Sequence, residues 1–521
     1  MFIKKTKVRS GNQTYTYLQL VESVWKGGRP THRVVANLGR EDQIDSGQVD
    51  RLIAALAPYG GEEVLRAESL RIPGARQYGS LLALQALWDE LQLREIMGDA
   101  AADRRHGFDF DAAVRAMTWA RVLNPGSEQG VLRWTKTVYA PDLARLELQH
   151  LYRALDLLVE EQERIEARLA QVLSERLVTD LSLVLFDTTS IYFEGEGPSG
   201  LARHGYSRDR RSDRPQAVLG LLTTGDGFPL SHVVLPGDTS DLAAMREALD
   251  VVRRRLPVTE VVMVTDRGMV SEANLREMES LGMRYIVGAK FRHLATREVL
   301  HRAGRYREVT PNLLVKEAHG TGRRTVICYN PEEAERDRRE REAMVAYLEQ
   351  SLEDRGLKGL LKNDVARRYL KVKGETVTVD RRRIAQDALK DGKWVLLTNC
   401  SLPAREVALA YKGLWRVERA FRTLKTPLEI RPVYHWTDRR VRGHVAVCVL
   451  AYLLERVLEH KLESAGLKMS AAEALQELSA VHAVEAKLGK KKLVYRTDLT
   501  LRQEQILSAC QVQLPPQMQT A

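Results

Sequence analysis

Three carboxylates stand where the sequence could build a metal-dependent site. Asp187 follows the apolar run LSLVLF, Asp266 follows VVMVT, and Glu418 lies in YKGLWRVERAFRTLK, a segment with helical spacing. We expect the aspartates at the ends of two buried strands and the glutamate on a helix, so that all three converge. Carboxylate oxygens suit Mg²⁺ or Mn²⁺, and a pair of such ions supports phosphoryl transfer. On a basic chain, the natural substrate of such a site is a nucleic-acid backbone.

Each acid also has an ordinary structural interpretation. An aspartate at the end of a strand often caps the following turn or helix. Tyr411, Glu418 and Lys425 are seven residues apart, so we expect them on nearly one line of a helix, within a mostly apolar, inward-facing stripe. An acid there needs compensation, which a metal or an ion pair with Arg419 or Arg422 could supply. The joint pattern of three acids, more than any single one, favours catalysis.

Composition restricts the class of protein. The 521 residues suggest about three or four domains. A net charge of +11 and a pI of about 9.4 point to an acidic partner. The four cysteines form no CxxC pair, so neither a zinc site nor a disulfide framework is predicted. The opening MFIKKTKVRSG lacks the apolar segment of a signal peptide, and the apolar run 445–454 is too short to span a membrane. We therefore expect a cytoplasmic protein with no membrane partner.

The apolar runs after residue 182 predict the fold class. Three consecutive runs without a helix between them suggest an antiparallel meander, and amphipathic helices flank the fourth. The predicted runs are Leu183–Phe186, Ala217–Leu222, Leu230–Leu235, Val261–Thr265 and Arg284–Val287. The order β-β-β-α-β-α-β predicts a mixed α/β protein with a ribonuclease-H-like core. In that fold the first and fourth strands are neighbours, which would bring Asp187 close to Asp266.

Changes of pattern along the chain divide it into six segments. They are a small basic β unit (1–45), a helical N-terminal region that could bind DNA (77–178), the first part of the catalytic core (180–292), a β-containing insertion domain (293–394), the second part of the core with the Glu418 helix (395–460) and a C-terminal helical tail (461–521). Within the helical region, two predicted helices break at Asn124-Pro125-Gly126. Such a pair could read DNA or simply pack.

The stretch from about 180 to 455 resembles the catalytic domain of DDE-type insertion-sequence transposases. It is most similar to the group with a YREK signature, whose Tyr, Glu and Lys positions are occupied by Tyr411, Glu418 and Lys425. The arginine of the signature is replaced by Leu414, and Arg416 is a candidate substitute two residues later. The segments HGYSRDRRSDRPQ, PGDTSD and PLEIRPVYHWTDRRVRGHV, together with the N-terminal β unit, also look like this family.

The resemblance implies cleavage of element ends and strand transfer into target DNA. The acids Asp187, Asp266 and Glu418 would hold two Mg²⁺ or Mn²⁺ ions, and the partner would be double-stranded DNA, both the terminal repeats and the target. Cutting two paired ends implies a homodimer on DNA. Tyr411 and Lys425 would contact phosphates near the cut end.

Further basic residues are expected to bind the DNA backbone. Arg422 lies beside the line of Glu418, and the loop after the Asp187 strand contributes His204, Arg208, Arg210 and Arg211. A solvated charged loop is the alternative for this last group. Two other functions also stay open from the residues alone: a metal-dependent nuclease that does not join strands, and a transposase-derived DNA-binding protein without catalysis.

Overall fold

A computed structural model describes residues 1–56, 59, 70–102, 107–177, 181–255, 262–266, 271–289, 299–300, 304–319, 323–354, 368–373, 376–488 and 491–520. The chain forms two compact units. The smaller comprises Met1–Ala75, Val484–Tyr495 and Pro516–Ala521, and the larger comprises Arg76–Ala483 and Arg496–Pro515.

The smaller unit is built on antiparallel strands. A three-stranded sheet has the order β1–β2–β3, with β1 at Phe2–Ser10, β2 at Gln13–Lys26 and β3 at Arg29–Arg40. Gly27 and Gly28 both have positive φ and make a two-residue turn whose twist matches that of the flanking strands. Helix α1 (Ser46–Leu56) follows. The protein thus begins with strands, and its N-terminal helices come later.

A four-stranded sheet corrects the prediction of a helical C-terminal tail. Its order is β18–β17–β16–β4, with β4 at Leu70–Gln77, β16 at His482–Leu488, β17 at Lys491–Arg496 and β18 at Met518–Thr520. Apolar and charged residues alternate in VEAKL, which is the period of a half-buried strand, whereas KKLVYR has no such alternation. Lys491 and Lys492 begin β17, and because a lysine run is typical of solvated surface, it obscures this strand in the sequence.

Helices fill the larger unit from residue 79 to residue 176. They are α2 (Gly79–Glu90), α3 (Leu93–Ala101), α4 (Phe110–Leu123), α5 (Glu128–Trp134), α6 (Leu148–Glu160) and α7 (Gln162–Arg176). The predicted break at Asn124 separates α4 from α5. Asp109 caps α4 by accepting a hydrogen bond from the N–H of Ala112, and Ser127 caps α5 by accepting one from Gly130.

A nine-stranded mixed sheet forms the centre of the larger unit. The first five strands of this sheet along the chain are β5 (Leu183–Tyr192), β6 (Gln216–Thr224), β7 (Pro229–Pro236), β8 (Val262–Thr265) and β9 (Arg284–Gly288). Helix α8 (Asp241–Arg255) precedes β8 in the chain, and α9 (Glu272–Ser280) follows it. Strands β5, β6 and β7 are an antiparallel meander, whereas β8 pairs with β5 in parallel. The predicted adjacency of the first and fourth strands is therefore confirmed.

Three strands of the predicted insertion belong to the central sheet, whereas its later hairpin forms a separate two-stranded sheet. Strands β10 (Arg307–Thr310), β11 (Leu313–His319) and β12 (Arg324–Tyr329) extend the central sheet through β15 (Lys393–Thr398), which pairs antiparallel with β9. The order of the central sheet is β10–β11–β12–β15–β9–β8–β5–β6–β7. The charged helix is α10 (Pro331–Asp354), the hairpin around residue 374 consists of β13 (Leu370–Lys373) and β14 (Thr376–Val379), and α11 spans Arg381–Ala388. Apolar residues of β11 and β12 such as Val315 and Val326 join the same buried cluster as β5.

Helices cover the sheet at the C-terminal end of the larger unit. They are α12 (Ala404–Lys412), α13 (Trp415–Lys425), α14 (Asp438–Ser464), α15 (Ala471–Ser479) and α16 (Leu501–Ala509). Helix α13 packs on β5, and α14 packs along α6 and α4. No helix in the described ranges has the length and apolar composition needed to cross a membrane.

Close packing of α14 on α6 depends on Gly443. A Cβ added at this position would lie 2.5 Å from the carbonyl oxygen of Leu155. We expect Gly443→Ala to lower the free energy of unfolding by about 1–3 kcal/mol, because the helices would have to separate. Gly98→Ala is the matched control, since a Cβ added there on α3 would meet nothing within 4 Å, and it should stabilise by up to about 1 kcal/mol. Equal thermal midpoints for the two variants would refute this packing.

Candidate active site

Parallel pairing of β5 with β8 sets two of the predicted acids side by side. The register pairs Leu185 with Val264, and Asp187 and Asp266 each lie two residues beyond that pair. Side chains two residues apart in a strand share a face, and neighbouring strands lie about 4.8 Å apart. The two carboxylates therefore occupy the same level on adjacent strands. Asp266 follows the end of β8 as predicted, but Asp187 lies inside β5, which continues to Tyr192 because it also pairs with β6.

The surroundings of Asp187 disfavour its charged form. Burial raises the pKa of Asp187 to about 6, and the negative charges of Asp266 and Glu418 contribute to this rise. The N–H of Thr188, 2.7 Å from Asp187 Oδ1, and the guanidinium of Arg208 act in the opposite direction. Asp187 in β5 is therefore near enough to Asp266 after β8 and to Glu418 on α13 for both charges to act on it.

Glu418 lies in the first turn of α13 and is exposed. The prediction that it faces inward on an apolar stripe is wrong, because Val417 and Phe421 supply the buried face. Its proposed structural partners are engaged elsewhere or exposed: Arg419 pairs with Glu459, with 2.5 Å between Nη2 and Oε1, and Arg422 is exposed. No ion pair of Glu418 is seen within the described part of the chain. The carboxylate is thus available at the same site as Asp187.

Tyr411 and Glu418 do not share one continuous helix. Helix α12 ends at Lys412 and α13 begins at Trp415, because the backbone tightens at Gly413, whose N–H bonds to the carbonyl of Ala410 three residues earlier. The Tyr411 hydroxyl nevertheless reaches the site and donates to Asp266 Oδ1 at 3.1 Å. Tyr411 therefore orients a proposed metal ligand in this structure.

Lys425, at the end of α13, is engaged by an acid that the sequence reasoning did not single out. Its Nζ lies 2.7 Å from Asp209 Oδ1, and Arg431 Nε lies 2.9 Å from Asp209 Oδ2. Burial lowers the pKa of Lys425, while its hydrogen bond to Asp209 opposes that shift. An acid between the arginines of HGYSRDRRSDR is a visible signal, but the partners of Asp209 lie more than 200 positions away, so the sequence does not identify them.

The basic loop, residues 203–214, packs beside β5 with its arginines in different settings. Arg208 donates to the Thr188 hydroxyl and, at 2.9 Å, to Asp241 Oδ1, so it lies against the acids. Arg211 forms two 2.9 Å hydrogen bonds with Asp213. Arg210 is exposed, with φ +57°, and His204 is also exposed. The loop is therefore partly neutralised by local acids, and Arg210 points its charge to solvent.

Neither the residue at the signature's arginine position nor its candidate substitute has a free guanidinium directed at the acids. Leu414 is buried, and Arg416 donates from Nη1 to the carbonyl oxygen of Gly225 at 2.8 Å. Arg416 also packs its side-chain carbons near Gly227. Arg416 thus ties α13 to the turn between β6 and β7.

The donor set suits a hard divalent cation. Three carboxylates repel one another, and Asp187 is partly buried with a raised pKa, so a cation would relieve a charge that the protein only partly compensates. Oxygen-only ligands match Mg²⁺ or Mn²⁺. The ligand oxygens of Asp187, Asp266 and Glu418 do not all lie within 4.8 Å of one another in this structure.

A second group of potential ligands lies apart from these acids. Within the described residues, ligand atoms of Glu128, His435 and His444 fall within 4.8 Å of one another. Burial and the charge of Arg121 lower the pKa of His444 to about 3. Burial alone would raise the pKa of Glu128, but a hydrogen bond from His435, 3.2 Å away, holds it at about 2. Because Arg121 already supplies a positive charge nearby, we interpret the group as a buried polar cluster in which Glu128 of α5 pairs with His435, just before α14.

The three acids lie in a part of the chain that matches a known protein family. A family model described as a transposase DDE domain matches residues 179–454, more than half of the chain. The chain belongs to the DDE transposases. It is an enzyme that cleaves DNA and transfers strands. The matched region contains β5, β8 and α13, and thus all three acids.

The start of this transposase matches a second model, the N-terminal domain of the IS1634 family of transposases, over residues 3–68. That region contains β1, β2, β3 and α1. No curated protein matches the sequence. Among solved structures, a Mos1 transposase paired-end complex with left transposon end is 16% identical, covering 47% of this chain and 68% of that one, with a TM-score of 0.15. Because this TM-score is so low, the fold is assigned from the strand order of the transposase itself.

The raised pKa of Asp187 predicts a pH-dependent stability. The folded transposase binds the Asp187 proton more tightly than the unfolded chain, so this group's penalty is absent below its ordinary pKa of 3.8 and complete above about pH 6. We expect Asp187→Asn to stabilise the metal-free protein at pH 8 by at most about 3 kcal/mol, and to make little difference near pH 4. Denaturant unfolding at both pH values, with and without Mg²⁺, measures this.

Unfolding in the presence of Mg²⁺ tests whether Asp187 binds the metal. Mg²⁺ should stabilise the wild type and have much less effect on Asp187→Asn, because binding to the folded state alone adds stability. A variant that is destabilised at pH 8, or one that gains as much from Mg²⁺ as the wild type, would contradict this description of Asp187.

Proposed function

We propose that Asp187, Asp266 and Glu418 together hold two Mg²⁺ or Mn²⁺ ions for cleavage and strand transfer at the ends of a mobile DNA element. The observation that carries this proposal is the register of β5 and β8, which sets both aspartates at one level, with α13 packed on β5. The repulsion among the three acids at Asp187 adds support. An ordinary cap or salt bridge would not gather three acids from separate elements.

The chain's own groups prepare the site for this chemistry. Bound divalent ions would supply a nucleophile activated near neutral pH and a stabilised leaving oxygen during in-line attack on phosphorus. Asp187 must be deprotonated to act as a ligand, and Arg208 and the Thr188 N–H favour that charged form by lowering its pKa. Tyr411 fixes the orientation of Asp266 by donating to Oδ1. Such support of a ligand by a neighbouring group typically affects metal affinity about 10–100-fold.

We further propose that the core is ribonuclease-H-like and that Tyr411, Glu418 and Lys425 are the YREK-type residues. Support comes from the order β7–β6–β5–β8–β9, in which three antiparallel strands precede two parallel ones. The break between α12 and α13 does not remove Tyr411 from the site, since its hydroxyl reaches Asp266. The signature's arginine function has no replacement at position 416, where the side chain binds the carbonyl of Gly225.

DNA is proposed to lie across the basic surface around the acids. Arg210, His204 and Arg422 are exposed, while Arg208, Arg211 and Lys425 also bind local acids. A net charge of +11 favours the duplex overall. Because two element ends must be processed together, we propose that a homodimer assembles on the terminal repeats and the target DNA.

Removal of the acids should abolish chemistry but not DNA binding. We expect Asp187→Asn, Asp266→Asn and Glu418→Gln each to reduce cleavage of a duplex carrying the element's own end by at least about a thousandfold, since a two-metal site loses a ligand. Binding of the same duplex should change little. Glu342→Gln, on the surface of α10, is the control for removal of an acidic charge. Near-normal cleavage by any folded acid variant would exclude that residue from the metal site.

Tyr411→Phe should act through the metal. Loss of the hydroxyl that donates to Asp266 should raise the Mg²⁺ concentration needed for half-maximal cleavage by about tenfold, with a smaller change at saturating Mg²⁺. Tyr434→Phe, at a residue that is 66% exposed, provides a matched loss of a hydroxyl. An unchanged Mg²⁺ dependence with weaker DNA binding would instead favour the phosphate contact predicted from the signature.

A further inference from the structure

Asp209 is an acid enclosed by the basic elements that the proposed function assigns to DNA. Its carboxylate is 11% exposed and lies between the side chains of Lys425, 13% exposed, and Arg431, 25% exposed. One oxygen is 2.7 Å from Lys425 Nζ, and the other is 2.9 Å from Arg431 Nε. Two cations thus share one carboxylate, and the group of three keeps a net positive charge.

The contacts of Arg431 restrict it further. Its guanidinium lies over the ring of Tyr192 at the end of β5, with 5.4 Å between Cζ and the ring centroid. Arg211 lies over the same ring at 5.1 Å. The contact between Arg431 Nε and Asp209 Oδ2 is an ion pair without hydrogen-bond geometry, so the charge of Asp209 and the ring of Tyr192 together restrain the guanidinium. Arg431 is therefore held in place beside Lys425, whose ammonium has two further N–H groups besides the one used by Asp209.

The two arginines next to Asp209 in the chain point in different directions. Arg208 turns toward the acids and bonds to Thr188 and Asp241, whereas Arg210 adopts φ +57° and is exposed. The inward side chain of Asp209 separates these two directions. Breaking a partly enclosed ion pair leaves a cation without compensation, so the loop and the two cations would rearrange together.

We propose that Asp209 is a positioning residue that holds Lys425 and Arg431 as a two-cation site for one DNA phosphate, with Arg431 a DNA contact outside the signature motif. This inference rests on the proposed function, because it places the phosphate beside the helix of Glu418. Two fixed donors suit a phosphodiester, whose charge and oxygen spacing resemble those of a carboxylate.

The direction in which Asp209→Asn changes DNA affinity distinguishes a positioning role from the alternatives. Simple electrostatics predicts that Asp209→Asn strengthens DNA binding, because it removes a negative charge from a DNA-facing surface. A carboxylate that merely occupied the phosphate position until DNA displaced it would give the same sign. A positioning residue gives the opposite result, since its loss disorders the two cations.

The experiment uses the full chain, EDTA and a fluorescent mixed-sequence DNA duplex, with affinity measured over a range of salt concentrations. Asp209→Asn and Arg431→Ala should each weaken binding by about tenfold and reduce the slope of log affinity against log salt by about one. The double variant should be little worse than either single variant, because both remove the same site. Asp209→Glu should recover part of the affinity, since it keeps the charge.

Controls make every outcome informative. Asp238→Asn removes an exposed acid from the loop after β7 and should leave binding unchanged or slightly stronger. Stronger binding by Asp209→Asn, or an unchanged salt slope for Arg431→Ala, would overturn the proposal. If Asp209→Asn does not fold, Arg431→Ala and Asp209→Glu decide by the same slopes. Because no metal is present, failure here is distinct from failure of the three acids, which is measured as cleavage.

Discussion

The parallel pairing of β5 with β8 is the constraint on which the site depends. The two strands are separated in the chain by a meander and a helix, yet their register aligns Leu185 with Val264 and so sets Asp187 level with Asp266. A shift of one residue would turn one carboxylate to the opposite face of the sheet. The apolar residues that bury these strands, such as Val184 and Met263, therefore specify the geometry of the acids as well as the stability of the core.

That geometry carries an electrostatic cost, which the surrounding chain reduces only in part. Burial and neighbouring acids raise the pKa of Asp187, while Arg208 and a backbone N–H lower it. Full neutralisation by protein groups would leave no advantage for a cation. The DDE transposase instead keeps Glu418 without an ion pair among the described residues and directs Arg419 to Glu459. Partial compensation is what a site needs if it is to fold without metal and still bind it.

The basic residues around the acids are organised by a few local carboxylates. Asp213 engages Arg211, Asp241 engages Arg208, and Asp209 joins Lys425 to Arg431. The net positive charge of this transposase therefore indicates an acidic partner, but it does not predict how the basic side chains are arranged. Cations held in fixed positions lose less conformational freedom when they bind a phosphate than mobile side chains do.

The sequence by itself determined the types of element and the chemistry. Apolar periodicity located β5 to β9 and the helices around them, and the residue types of Asp187, Asp266 and Glu418 already implied a divalent metal. These signals are local, because each arises from neighbouring residues within one strand or helix. The same local patterns mislead where a competing signal is stronger: a lysine run obscures the strands of the C-terminal tail.

Only the tertiary structure decided which distant groups meet. It made three strands of the predicted insertion part of the central sheet, interrupted the helix between Tyr411 and Glu418, and paired Lys425 with Asp209. The physical reason is that pairing between remote segments depends on strand register and on how helices pack across a sheet. Neither is recorded in the spacing of residues within one segment.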